Sequence, residues 1–157
     1  MDPIKVRRLN HAVLFVSDLA RAEAFYTDVL GMTVISRIPA ASAAFLRAAD
    51  SGNHHDLGLF GVGTDAVRPP RGSVGLYHLA WQVDSIHDLR HARDAMLAAG
   101  AYTGESDHGA SKSVYGADPD GNEFEIMFLV PREDWGPDPD AAPIRRLDLD
   151  AEVERYG

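Results

Sequence analysis

A chain of 157 residues with 45% hydrophobic side chains is long enough for one compact domain, or for two small units sharing a core, and should bury roughly 70% of its unfolded surface. It has no cysteine, which removes disulfides and thiolate metal sites and leaves His, Asp and Glu as the strong ligands, a set that favours hard or borderline metals. Its 24 acidic against 15 basic side chains give a formal charge of -9, which repels phosphate backbones, so a small molecule rather than nucleic acid is the expected partner.

The first eight residues, 1–8, lack the apolar stretch of a signal peptide, and no later window approaches a membrane span. No membrane partner and a cytoplasmic location are expected. Residues 11–16 then form an apolar run suited to a buried strand, and Ser17 and Asp18 supply oxygens to cap a helix reaching about Leu30. Leu19, Ala22, Phe25, Tyr26, Val29 and Leu30 share one face of it, and Gly31 sits where a left-handed cap is expected. Three short strands are predicted over 32–38, 42–48 and 54–61, broken by Pro39 and by Asp50-Ser51-Gly52-Asn53. The first unit, residues 8–62, therefore reads β-α-β-β-β.

Residues 63–75, with Pro69-Pro70 and several glycines, read as a linker, and the pattern restarts at Leu76. Ser85 and Asp88 form a capping box ahead of Leu89, Ala92, Met96 and Leu97, and Gly100 ends that helix. Strands are expected near Ala101, over 111–117 and over 123–130, with Asp118-Pro119-Asp120-Gly121-Asn122 as a tight turn. The second unit, residues 76–130, has the same order as the first. In the tail, residues 131–157, Pro137, Pro139 and Pro143 among charges predict a surface-packed segment with a short helix around 148–155.

The two units echo each other in sequence. Leu9-Asn10-His11-Ala12-Val13-Leu14-Phe15-Val16-Ser17-Asp18 matches Leu76-Tyr77-His78-Leu79-Ala80-Trp81-Gln82-Val83-Asp84-Ser85, and Gly52-Asn53-His54-His55-Asp56-Leu57 matches Gly121-Asn122-Glu123-Phe124-Glu125-Ile126. The offsets, 67 and 69 residues, agree within a short indel and imply two copies of one unit. A lone histidine on an apolar strand is more often a hydrogen-bonded core residue than a ligand. Here His11 and His78 recur at one architectural position, and Glu125 lies in a strand where an unpaired charge would be costly. Two imidazoles and one carboxylate are the ingredients of a facial metal site with open positions.

The duplicated units, the histidine opening each, and the run from Asp118 to Glu125 resemble the vicinal oxygen chelate superfamily, which includes glyoxalase I, extradiol dioxygenases, fosfomycin-modifying enzymes and bleomycin-binding proteins. The resemblance covers nearly the whole chain up to Val130. It implies a single α+β domain over residues 1–157, with two tandem βαβββ units forming a curved mixed-sheet cup around a metal site. Asp107-His108-Gly109, then Ser111 and Tyr115, and the ten-residue step from Tyr115 to Glu125 look like the extradiol dioxygenase segment that carries a substrate-contacting His and Tyr ahead of the carboxylate ligand. His54-His55-Asp56-Leu57 looks like the paired-His strand whose second histidine is the acid-base residue, and the tail resembles that of small catechol-dioxygenase-like members. The resemblance thus implies His11, His78 and Glu125 as metal ligands, with His55, His108 and Tyr115 on the substrate side. Fe(II) is the metal implied first, with Mn(II), Ni(II) or Zn(II) as alternatives. The implied partners are an aromatic small molecule, dioxygen and further copies of the chain in a homodimer or higher homo-oligomer.

A strand alternates, so only one of His55 and Asp56 can serve the site, and the internal alignment sets Asp56 opposite Glu125. His55 is expected to approach the metal, with Asp56 turned away. An inward Asp56 would instead complete the two-His, two-carboxylate set of a glyoxalase I-like lyase or epimerase, which uses its metal as a Lewis acid. A non-enzymatic bleomycin resistance-like binding protein, the third option, has no use for a complete ligand triad. A fosfomycin-modifying transferase needs a basic phosphonate site, for which the second half offers only Lys112. Phe15 and Trp81 read as core, and Asp18, Asp28, Arg90 and Arg93 as solvated faces.

Overall fold

The computed structural model describes residues 2–70, 72–137 and 139–157. Met1, Arg71 in the expected linker and Asp138 in the expected tail lie outside the described residues. The chain divides into two compact units, Met1–Pro69 and Pro70–Gly157.

The first unit runs β1 (Ala12–Val16), α1 (Leu19–Asp28), β2 (Thr33–Ile38), a 3-10 turn at Pro39–Ala41, β3 (Ala43–Arg47) and β4 (Leu57–Gly61). Its sheet has the order β1-β4-β3-β2, with β1 parallel to β4 and the other pairs antiparallel. Parallel neighbours need a crossover, and α1 begins it. Asp18 caps α1 by accepting from the Arg21 N–H, and the chain leaves the helix through Gly31 at φ +66°. Leu14, Val16, Leu46, Leu57 and Leu59 bury one face of the sheet with Ala22 and Tyr26 of α1.

Alternation sends Val13, Phe15, Phe45, Gly58 and Phe60 to the other face. Phe15 is consequently 73% exposed, which overturns its expected place in the core: β1 commits Leu14 and Val16 to the helix, and Phe15 must point away. A second departure lies at β4, which starts at Leu57 instead of residue 54. His54, His55 and Asp56 belong to the loop before it, where the Asp56 carboxylate organises the backbone.

The second unit runs β5 (His78–Val83), α2 (Ile86–Ala98), β6 (Tyr102–Asp107), β7 (Ser111–Ala117) and β8 (Glu123–Leu129), in the sheet order β5-β8-β7-β6. Again the first and last strands are parallel and the rest antiparallel. The Ser85–Asp88 capping box closes the amino end of α2, and Gly100 at φ +67° follows its carboxyl end. Ile86, Leu89 and Met96 bury against the β7 and β8 face carrying Val114, Phe124, Ile126 and Phe128. Gly116 leaves room for this packing, since a Cβ there would lie 2.7 Å from both Met96 Sδ and Phe124 Cζ.

The tail is more than a surface covering. A 3-10 turn at Arg132–Asp134 leads on to α3 (Leu149–Tyr156), and Leu147 and Leu149 are buried. Asp107 and Arg145 exchange two backbone hydrogen bonds of 3.0 Å, so the segment also extends the β6 edge. Both units are βαβββ and the fold is α+β. No helix among the described residues is long and apolar enough to cross a membrane.

Candidate functional site

In the second unit the site is built on the face of the sheet turned away from α2. Glu125 sits on β8 between its two neighbours, level with Ala80 of β5 and Tyr115 of β7. His78 Nε2 lies 3.1 Å from Glu125 Oε2, and the Ser113 hydroxyl donates to Oε1 at 2.5 Å. A buried carboxylate needs such partners, because leaving it unpaired would cost several kcal/mol on the order of that for any desolvated charge. The Tyr115 ring stands 5.9 Å from that of His78, centroid to centroid. Its hydroxyl oxygen is 2.8 Å from His108 Nε2, and His108 Nδ1 is 2.8 Å from the Pro143 carbonyl oxygen. Burial first, and then the neighbouring Glu125 carboxylate, push the Tyr115 phenol above its ordinary value, so it stays protonated at neutral pH.

In the first unit His11 precedes β1, and its Nδ1 is 2.9 Å from the Asn10 side-chain oxygen, an arrangement that orients the ring. The His11 and His55 rings lie 4.4 Å apart, and His55 meets the Phe45 ring edge-on at 5.1 Å. Desolvation, followed by the nearby His11 and His54 imidazoles, lowers the His55 pKa below the usual histidine value. His55 is therefore neutral near pH 7, the form that accepts a proton.

Asp56 has a different task. It is 8% exposed, and its carboxylate accepts from the Ala48 N–H at 2.9 Å, the Ser51 hydroxyl at 2.8 Å and the Asn53 amide at 2.7 Å. Burial alone would raise this carboxyl, but the three hydrogen bonds outweigh it and hold the group below the ordinary carboxylate range.

Strand register alters the internal alignment. In the first unit Val13 pairs with Gly58, and in the second Ala80 pairs with Glu125, so one offset of 67 residues relates both members of the pair. The counterpart of Glu125 is Gly58, not Asp56; the echo at an offset of 69 is two residues out of register. Phe45 pairs with Gly58 as Tyr115 pairs with Glu125. A Cβ on Gly58 would meet Val13 at 3.3 Å and Phe45 at 3.4 Å, so in the first unit an aromatic ring and an aliphatic side chain crowd the place held by an acid in the second.

The second unit thus brings together four of the six expected residues, His78, Glu125, Tyr115 and His108, while the first brings His11 next to His55. Among the described residues no three His, Asp or Glu side chains group closely enough to hold a metal within either unit. The pair His78–Glu125 does present a nitrogen and an oxygen donor side by side, which suits a borderline divalent ion. Sequence reasoning missed Ser113, although its period-two spacing from Tyr115 places it on the same face. It also missed Pro143, which acts through a backbone carbonyl and leaves no residue-type signal. Lys112 is on the opposite face of β7, only 4% exposed and paired with Asp107 and Glu152, so it offers nothing to a phosphonate.

A family model described as the Glyoxalase/Bleomycin resistance protein/Dioxygenase superfamily matches residues 8–126, and the chain belongs to that superfamily. Among curated proteins it is similar to catechol-2,3-dioxygenase of Bacillus subtilis (strain 168), 31% identical over 127 residues that make up 81% of this chain and 43% of that protein. It is also similar to biphenyl-2,3-diol 1,2-dioxygenase 3 of Rhodococcus globerulus, 34% identical over 135 residues, 80% of this chain and 67% of that one. The chain therefore spans less than half of the first relative and about two thirds of the second. Among solved structures, a glyoxalase/dioxygenase from Nostoc punctiforme superposes with a TM-score of 0.67 at 21% identity, covering 83% of this chain and 99% of that one, a likeness of fold.

Proposed function

We propose that the protein is a metal-dependent extradiol-type dioxygenase that cleaves a catecholic aromatic with dioxygen. The observation that carries this reading is the asymmetry of the site: His78, Glu125, Tyr115 and His108 cluster in one unit, whereas the first unit has Gly58 and Phe45 where a second carboxylate would stand. The hydrogen bonds that tie Asp56 into its own loop support a ligand set of two histidines and one carboxylate over the four-ligand set of the glyoxalase-like alternative. The superfamily and the dioxygenase relatives support the same choice.

His11, His78 and Glu125 are the proposed ligands, and Fe(II) is the proposed metal. Such an ion, when bound, supplies adjacent open positions for two substrate oxygens and dioxygen. His55, neutral at working pH, would accept the proton of a substrate hydroxyl and later return it. Tyr115 and His108 are proposed for the substrate side, with the Tyr115 hydroxyl meeting a second substrate oxygen and His108, bonded to that hydroxyl, standing behind it. Assembly as a homodimer or higher homo-oligomer is part of the proposal and is checked by light scattering.

The test is anaerobic loading with Fe(II) and a panel of catechols, followed by dioxygen uptake and the yellow ring-cleavage product. His55→Ala should keep stoichiometric iron yet slow turnover by roughly 100-fold, the usual scale for losing an acid-base group. No uptake with any catechol, together with Ni(II)- or Zn(II)-dependent conversion of a hemithioacetal, would overturn the reading in favour of a lyase.

A further inference from the structure

The segment after Pro131 returns to the β6–β7 hairpin at three points. Its backbone bonds Asp107 through Arg145, at 3.0 Å in each direction. Lys112 Nζ, on the face of β7 opposite Tyr115, lies 2.7 Å from Asp107 Oδ1 and 3.2 Å from Glu152 Oε1 of α3. The Pro143 carbonyl oxygen meets His108 Nδ1 at 2.8 Å.

A carbonyl oxygen can only accept, so Nδ1 carries a hydrogen, and in neutral imidazole Nε2 then holds a lone pair. The Tyr115 hydroxyl, 2.8 Å from Nε2, is left to donate there. The Tyr115 ring stands on the face that bears Glu125 and His78, so the lone pairs left on its oxygen are the acceptors it can offer on that side.

We propose that the C-terminal segment is a positioning device: the buried Lys112 ion pairs hold Pro143 against His108, fix its Nδ1–H tautomer and so make Tyr115 an acceptor for a substrate hydroxyl. Lys112 and Glu152 are positioning residues, touching neither substrate nor ligand positions. Lys112 is buried between both carboxylates, so removing either one leaves the ion-pair cluster incomplete and loosens the clamp. That Tyr115 faces substrate rests on the function proposed above; the tautomer of His108 does not.

The two are separated by long-range proton–nitrogen NMR of the full-length protein labelled at histidine nitrogen, which reports each ring's tautomer, with His108→Gln assigning the signal. The Nδ1–H pattern is expected for His108 in the wild type and in Lys112→Arg, and its loss in Lys112→Met, with Glu152→Ala as a milder variant should the first not fold. A wild-type His108 in the Nε2–H form or doubly protonated at about pH 8, well above the unperturbed histidine value, overturns the proposal. So does an unchanged pattern in Glu152→Ala together with one in any folded Lys112→Met. Catechol turnover is recorded alongside: no ring cleavage with the Nδ1–H pattern present sinks the dioxygenase reading and sustains the clamp, while ring cleavage with the Nε2–H pattern does the reverse.

Discussion

Glu125 has three neighbours that explain why an acid is tolerated in the middle of a sheet: an imidazole, a serine hydroxyl and a tyrosine across the ladder. Replacing it with alanine should abolish most metal uptake, measured by metal analysis after Fe(II) loading, while circular dichroism stays unchanged, because the α2-facing core lies on the other side of β8. Asp56 should behave in the opposite way. Its three hydrogen bonds hold a loop and no ligand, so Asp56→Ala should cost roughly 2–4 kcal/mol in urea unfolding and leave metal uptake alone. The sign with pH follows from the lowered carboxyl. Its contribution is full above the unfolded carboxylate value of about 3.9 and disappears as pH falls through the lower folded value, so the wild type and Asp56→Ala should converge in stability only in strong acid.

The elements were largely legible because their signals are local. The Ser85–Asp88 box, Asp18 and the left-handed Gly31 and Gly100 mark helix ends by backbone chemistry alone, and each appears where expected. What was not legible depends on partners distant in sequence. The start of β4 was misplaced because Asp56 bonds Ala48 and Ser51 across a loop, and Phe15 was misassigned because an apolar run does not reveal which parity meets the helix. The register error at Asp56 has the same origin, since matching letters cannot count ladder pairs. Tail and strand meet by ion pair and carbonyl, contacts with no spacing rule. Gly116 is the element-scale test of close packing between α2 and its sheet: Gly116→Ala should lower stability by about 1–3 kcal/mol in thermal or urea unfolding, since its Cβ would meet the Phe124 ring, which is buried in the core, at 2.7 Å.

At the scale of the molecule, two units of one topology have diverged at the pair of positions that face each other across their central strands: glycine and phenylalanine in one, glutamate and tyrosine in the other. Gly58→Glu would place an acid at the matching position, its Cβ alone requiring Val13 and Phe45 to give by a few tenths of an ångström and the rest of the side chain requiring further movement of Phe45. Under the proposed function, this variant should still take up metal but lose dioxygen uptake by at least about tenfold, equivalent to about 1.4 kcal/mol in the barrier; unchanged oxygen chemistry would show that the first unit's glycine is incidental. The glycine has a consequence for charge balance. A divalent ion held by two neutral rings and one carboxylate keeps a net positive charge, whereas a second carboxylate would cancel it. Under the proposed ligand set, in a chain of net charge -9, that single uncancelled charge would make the site a local attractor for an anionic, chelating guest, and Gly58 would preserve it by contributing no side chain at all.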